Sequence, residues 1–320
     1  MRVHLCGVRG STPAPGAEFV RYGGHTSCVA VAHDATSVPA LILDAGTGLR
    51  QVTSLTGGQP FCGTILLTHL HWDHVHGLPF FTAGDRDGAR VTLLLPEQDS
   101  GESPEAVLAR GMSPPHFPIG PSGLRGDWTF GTVGAGPLKA EGFMIEAREV
   151  PHKGGRTFGY RVSNGRCVIA YIPDHCPTVL GPGPQGWGEY HQAALDLAAG
   201  ADLLIHDAFL LPEEVGAEAS FGHAAADYAV ELGRRAGARR VVLAHHKPDR
   251  TDEALDRLAR RLGAKPAGVT PGPRATAGPA GATAGPAGAT AGPADVTPGP
   301  RATAGPAGVI VAAAGEILDL

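Results

Sequence analysis

Seven residues constrain this chain more than any other feature. Thr68-His-Leu-His-Trp-Asp-His74 follows directly on Thr64-Ile-Leu-Leu-Thr68, an apolar run with the length of a buried strand. Side chains at i and i+2 of an extended segment point to one side, so His69 and His71 can share one borderline cation such as zinc. As the chain turns, Asp73 and His74 can face a second cation close by, and the Asp73 carboxylate can also orient a water molecule. A chance group of surface histidines has no reason to fall in this order at the end of a buried strand.

The surrounding sequence supplies a scaffold for such a site. Strands are expected at 3–8, 27–32, 40–44, 64–68, 91–95, 143–150, 157–162 and 167–172, the last two joined across Ser163-Asn-Gly165, a hairpin signal. Helices at 189–199, 223–235 and 252–262 then alternate with strands at 202–205 and 240–244. Ala225, Tyr228, Ala229 and Leu232 share one helical face. Asp252 and Glu253 open the last helix, and Arg257, Arg260 and Arg261 close it, which complements its dipole. β-rich and βα-alternating halves imply a layered α/β architecture.

Composition divides the chain. Its 320 residues include 47 Gly and 28 Pro, nearly double the roughly 12% of average usage. Of these, 10 Gly and 9 Pro lie in the 43 residues 266–308, where a 13-residue sequence occurs identically at 269–281 and 296–308. That tract has no apolar face to stack and no glycine at every third position, so neither a solenoid nor a collagen helix follows. It is expected to be a disordered insert at 266–307 in a domain made of 1–265 and 308–320, without a part in catalysis. Residues 308–312 and 316–320 are expected to form a terminal hairpin that returns to the core. A net charge of -5 argues against a generally basic nucleic-acid surface. No apolar run approaches the ~18 residues of a membrane span, and the first residues lack the pattern of a signal peptide. Five scattered cysteines form neither a disulfide framework nor a thiolate zinc site, so a cytoplasmic location is expected.

The motif is similar to the signature of the metallo-β-lactamase superfamily, and the resemblance extends over nearly the whole chain outside the insert. It implies a four-layer αββα sandwich with two divalent metal ions at one edge of the facing sheets, zinc first, with manganese or iron as alternatives. By the same resemblance His152 after the strand 143–150 completes the first site with His69 and His71. Asp174 after 167–172 bridges, and His245 after 240–244 joins Asp73 and His74 at the second site, with His246 as its rival. Gly7-Val-Arg-Gly-Ser-Thr-Pro13, Tyr22-Gly-Gly-His-Thr-Ser-Cys28, Leu43-Asp-Ala-Gly-Thr-Gly48 and His245-His-Lys-Pro248 resemble the branch of phosphodiesterases and tRNA 3′-processing endonucleases. Leu204-Ile-His-Asp-Ala208 and Gly222-His223-Ala resemble the stretches that supply that branch's general acid. They make His223 the proton donor, oriented by His206 or Asp207, with Asp73, His206 and His223 as the catalytic candidates.

The function expected is hydrolysis of a small or cyclic phosphodiester. Only 22 residues separate His152 from Asp174, the interval in which the tRNA enzymes insert an RNA-gripping arm, so nucleic acid is not the favoured substrate. A thioester or lactone hydrolase, a tRNA endonuclease and a metal-binding regulatory protein are the alternatives, and a homodimer is compatible with the sequence. Asp44 is expected to support the site without joining the chemistry. Arg9 fits either a phosphate contact or a salt bridge, and Trp72 is expected to pack beneath the metals.

Overall fold

In the computed structural model the described residues are 1–266 and 308–320. Except for its first residue, the expected insert at 266–307 lies outside them. The strands are β1 (Arg2–Gly7), β2 (Cys28–Ala32), β3 (Leu41–Leu43), β4 (Cys62–Leu66), β5 (Arg90–Pro96), β6 (Asp127–Val133), β7 (Gly136–Ala140), β8 (Phe143–Glu149), β9 (Phe158–Ser163), β10 (Val168–Ile172), β11 (Leu203–Asp207), β12 (Arg240–Ala244), β13 (Gly308–Val311) and β14 (Glu316–Asp319). They form two seven-stranded sheets, ordered β14-β1-β2-β3-β4-β5-β6 and β13-β12-β11-β10-β9-β8-β7. The helices are α1 (Leu49–Leu55), α2 (Trp72–Val75), α3 (Pro104–Ala109), α4 (Gln192–Ala198), α5 (Val215–Glu218), α6 (Ala226–Ala236) and α7 (Asp252–Arg261).

Strand alternation assigns each apolar residue to one of three cores. Val3, Leu5, Val29 and Val31 of the first sheet meet Tyr160, Val162, Leu203 and Ile205 of the second between the sheets. Their neighbours point outward. Ala30, Ile42 and Ile65 pack with Leu49 and Val52 of α1. Leu204, Val241 and Leu243 pack with Tyr228 and Leu232 of α6 and Leu255 and Leu258 of α7. Both faces of each sheet are therefore buried, which is why so many strands read as unbroken apolar runs. The result is the αββα sandwich the sequence led us to expect.

One expectation is corrected. The last two strands do not pair with each other: β13 lies parallel to β12 in the second sheet, and β14 lies antiparallel to β1 in the first. The link between them crosses from sheet to sheet. Ala312 donates to Leu243, Ala314 to Tyr22 and Gly315 to Leu5, so its amides are satisfied by both layers instead of by a hairpin ladder. Among the described residues, no helix is long and apolar enough to cross a membrane.

Strands β10, β11 and β12 run parallel, and β8 shares their direction because it is antiparallel to β9, which is antiparallel to β10. Their C-terminal ends therefore gather at one edge of the sheet, where they deliver His152, Asp174, Asp207 and His245.

Candidate metal centre

Two groups of donors meet at this edge. The ligand atoms of His69, His71 and His152 lie within 4.8 Å of one another, and so do those of Asp73, His74 and His245. Asp174 stands between the groups. Its Oδ1 is 3.4 Å from His152 Nε2 and 4.0 Å from His69 Nε2. Its Oδ2 is 3.0 Å from His74 Nε2 and 3.3 Å from His245 Nε2. In the second group Asp73 Oδ2 is 3.2 Å from His74 Nε2 and 3.0 Å from His245 Nε2. All seven residues expected to bind metal converge.

The outer nitrogens show which way each ring points its lone pair. His74 Nδ1 donates to Asp44 Oδ2 at 2.8 Å, and His152 Nδ1 donates to the Gly222 carbonyl at 2.7 Å. Both acceptors lack a proton to give, so both Nε2 lone pairs face inward. His74 Nε2 and His245 Nε2 are 3.3 Å apart, as are His152 Nε2 and His71 Nδ1. Buried His69 Nε2 has no hydrogen-bond partner. Ring nitrogens this close repel unless a proton or a cation lies between them.

The electrostatics agree. Burial would raise the pKa of Asp174, but His245, His74, His69 and His152 outweigh it and hold the carboxyl well below its usual range. Asp73 is likewise lowered against burial, by His74 and His245. Burial opposes a charge on His74, yet Asp73, Asp44 and Asp174 raise its pKa well above the imidazole norm. For His69 burial dominates, with His74 adding to it, and its pKa is pushed far down. Carboxylates held ionised beside an imidazole drawn toward protonation mark a cluster short of positive charge, a donor set that fits divalent cations.

Backbone supports the rings. Asp44 also accepts from the amide of Thr68 (2.7 Å) and the hydroxyl of Tyr171 (2.9 Å), so it anchors the strand end to the ring of His74, the supporting role expected of it. Ser11 N donates to Asp73 Oδ2 at 2.7 Å. Asp44 and His245 both take positive φ, 61° and 58°, a strained geometry for residues with a Cβ and one that collects at functional sites. A Cβ on Gly10 would come within 2.5 Å of the His245 ring, and one on Gly154 within 2.8 Å of His71 Nε2, so both close approaches require glycine.

His223 lies against this centre. Its Nδ1 is 3.1 Å from Asp207 Oδ2 and 3.6 Å from Asp174 Oδ1. Distance alone would admit His223 as a ligand, since His152, Asp174 and His223 also form a close group. The bond to Asp207 engages the nearer nitrogen, although Asp207, His223 and His245 form a further close group. His206 does not belong to the site. Its Nδ1 donates to the Asp207 carbonyl, its Nε2 faces His175 at 3.1 Å, and its ring lies near Tyr228 of α6. It follows Leu204 on the outward face of β11, so Asp207 alone orients His223.

Three neighbours are settled by their contacts. His246 is buried with Nε2 on the Ala312 carbonyl (2.9 Å), and burial together with Arg9 pushes its pKa to about 3, so His245 is the ring in the cluster. Arg9 takes the salt-bridge reading: it is fully buried, 3.9 Å from Asp252, and donates to the Gly23 and Arg250 carbonyls. Trp72 does not pack beneath the centre but is 70% exposed and stacked on His76. It opens the helical turn α2, where Trp72, Val75 and His76 fall at i, i+3 and i+4 on one face and Asp73 and His74 on the other. Tyr171, Ser11 and the Gly222 carbonyl escaped sequence reading. Ser11 and Gly222 lay in motifs already singled out but without a role, and Tyr171 stood out as an aromatic hydroxyl in an apolar strand.

The chain belongs to the metallo-β-lactamase superfamily: the family profile described as "Beta-lactamase superfamily domain" matches residues 40–246. Ribonuclease Z of Lacticaseibacillus casei is 26% identical over 236 residues, which cover 64% of this chain and 74% of that protein. The metallo-β-lactamase fold protein YhfI from Bacillus subtilis superposes with a TM-score of 0.61 at 16% identity, covering 99% of this chain and 98% of that one. A diphosphatase from the PhnP family gives 0.58 at 17%, covering 100% and 97%. Family and fold thus define a metal-dependent hydrolase, and the His/Asp groups are clusters that could hold its metal ions.

Proposed function

We propose that the chain is a binuclear phosphodiesterase acting on a small or cyclic phosphodiester. The observation that carries this reading is Asp174, with one oxygen turned to each donor group, beside His223 with its Nδ1 on Asp207. His69, His71 and His152 would hold one cation and Asp73, His74 and His245 the other, with Asp174 between them. Zinc, or manganese or iron in its place, would lower the pKa of a water and stabilise charge on the attacked phosphoryl group.

The chain's own residues do the rest. Asp207 holds Nδ1 of His223 and aims the ring, so that Nε2 passes a proton to the departing oxygen. The oxygen of water forms the new P–O bond, and the bond to the leaving alcohol breaks. The alcohol takes the His223 proton, and the proton released by water restores the balance. Asp73, already spent among His74, His245 and Ser11, holds the centre and is not the proton donor.

The names of the relatives, ribonuclease and diphosphatase, both denote cleavage at phosphorus. The ribonuclease relatives favour a second reading, tRNA 3′-end processing. Against it, β9 and β10 close in register at Ser163 and Val168, so no RNA-gripping arm emerges between His152 and Asp174. The test is hydrolysis of bis-p-nitrophenyl phosphate by protein of known metal content. Turnover that follows added zinc or manganese is expected. Turnover of carbonyl esters alone would make the protein a thioester or lactone hydrolase, and tight metal binding with no turnover would make it a binding protein.

A further inference from the structure

The metal-binding segment builds two surfaces. His69, His71, Asp73 and His74 face the centre, while Leu70, Trp72, Val75 and His76 line a separate cavity of about 610 Å³. That volume lies within the ~300–1,000 Å³ typical of small-molecule sites. The opposite wall is Val107 and Leu108 of α3 with Met112 and Phe117. Val107, Leu108 and Met112 are buried, so this wall is part of the core and not a flap.

Two aromatic pairs line the cavity. Trp72 stacks on His76 at 5.3 Å and 21°, and Phe80 meets Phe117 edge-on at 5.8 Å and 86°. Trp72 and Phe80 are 70% and 55% exposed, which leaves large aromatic faces in water beside a catalytic centre. The cavity also reaches His69 of the first donor group and Thr157. Thr157 is 1% exposed, and its Oγ1 has no hydrogen-bond partner, an omission that is costly unless a ligand supplies one. Lys153 and Arg156 border the same space with positive charge that suits a phosphodiester anion.

The other side of the centre is taken. A second cavity holds His71, His152, His223 and Phe209, and it shares Lys153 with the first. Because His223 protonates the leaving alcohol, the leaving group occupies the second cavity and the retained group the first. We infer that the retained ester group is a planar aromatic or heteroaromatic one, seated in the first cavity. Trp72, His76, Phe80 and Phe117 stack on it, Thr157 donates to the end nearest phosphorus, and Lys153 and Arg156 face the phosphate. This rests on the phosphodiesterase reading and names its substrate class.

The test keeps the leaving group constant and varies the retained one. Methyl, phenyl and naphthyl p-nitrophenyl phosphates are compared on metal-loaded protein, wild type and Phe117→Ala. The expected result is that kcat/KM favours the aryl esters about tenfold or more through KM. Phe117→Ala should then lower the aryl values about tenfold more than the methyl value, a ratio in which intrinsic ester reactivity cancels. Calorimetric titration with phenylphosphonate and methylphosphonate, which need no turnover, should show the same preference in wild type and its loss in Thr157→Val and Phe117→Ala. If no diester is cleaved but phenylphosphonate still binds preferentially, the cavity assignment stands and the phosphodiesterase reading falls. Equal binding of the two phosphonates overturns the inference, as does a long-chain alkyl ester matching the aryl esters.

Discussion

The two donor groups share Asp174 but are built differently. Asp73, His74 and His245 are all buried, and each is fixed from behind: Ser11 N holds Asp73, Asp44 holds His74, and a positive φ aims His245. In the other group His71 is only partly buried, lies on the wall of the cavity that also holds His152 and His223, and rests on Gly154. Closed sites anchor a metal, whereas open ones leave a position for water or substrate. Under the proposed function, the sealed group would hold its ion and the open group would exchange ligands during turnover.

The strongest way to break this comparison is to remove the shared residue. Asp174→Ala should abolish turnover and deplete both groups together, measured as metal per chain by inductively coupled plasma mass spectrometry. Loss of one ion alone would show that Asp174 does not bridge. Next in size is His223→Gln, expected to lower kcat by ~10²–10⁴-fold while metal content stays at the wild-type value. Parallel loss of metal would make His223 a ligand after all.

Asp44→Asn should weaken the sealed group by ~10–100-fold in metal affinity, because the amide no longer fixes the His74 tautomer. In cobalt-substituted protein only one of two spectroscopically distinct ions should respond. The smallest effect is Gly154→Ala, where a left-handed φ and contact with His71 should cost ~1 kcal/mol, about fivefold in affinity, at the open group alone. Competitive chelation that first empties the sealed group in this variant would reverse the assignment.

The ease of reading this site from sequence followed the distance over which its residues act. His69 to His74 are contiguous, and the end of a buried strand fixes their direction. His152, Asp174 and His245 were implied by the family resemblance, and each also follows a strand end, in chain order. His206 and Trp72 were misread because the residues beside them belong to the centre: strand alternation turns His206 away from it, and the helical turn of α2 turns Trp72 away. The partners of β13 and β14 were hidden because a short apolar strand fits either sheet edge, and only the Ala312–Gly315 link decides. Gly136-Pro-Leu-Lys-Ala140 forms β7 against its weak strand propensity, through pairing with β8. Asp44 could be placed near the site from its sequence, but not its bonds to Thr68, His74 and Tyr171, which come from two other segments.

The central claim is that one carboxylate joins two metal groups. The most direct measurement is anomalous diffraction at the zinc edge from crystals of zinc-loaded protein. The account predicts two peaks within about 4 Å of each other, one among His69, His71 and His152, the other among Asp73, His74 and His245, with Asp174 contacting both. A single peak, or a pair with Asp174 bound to only one, would contradict it.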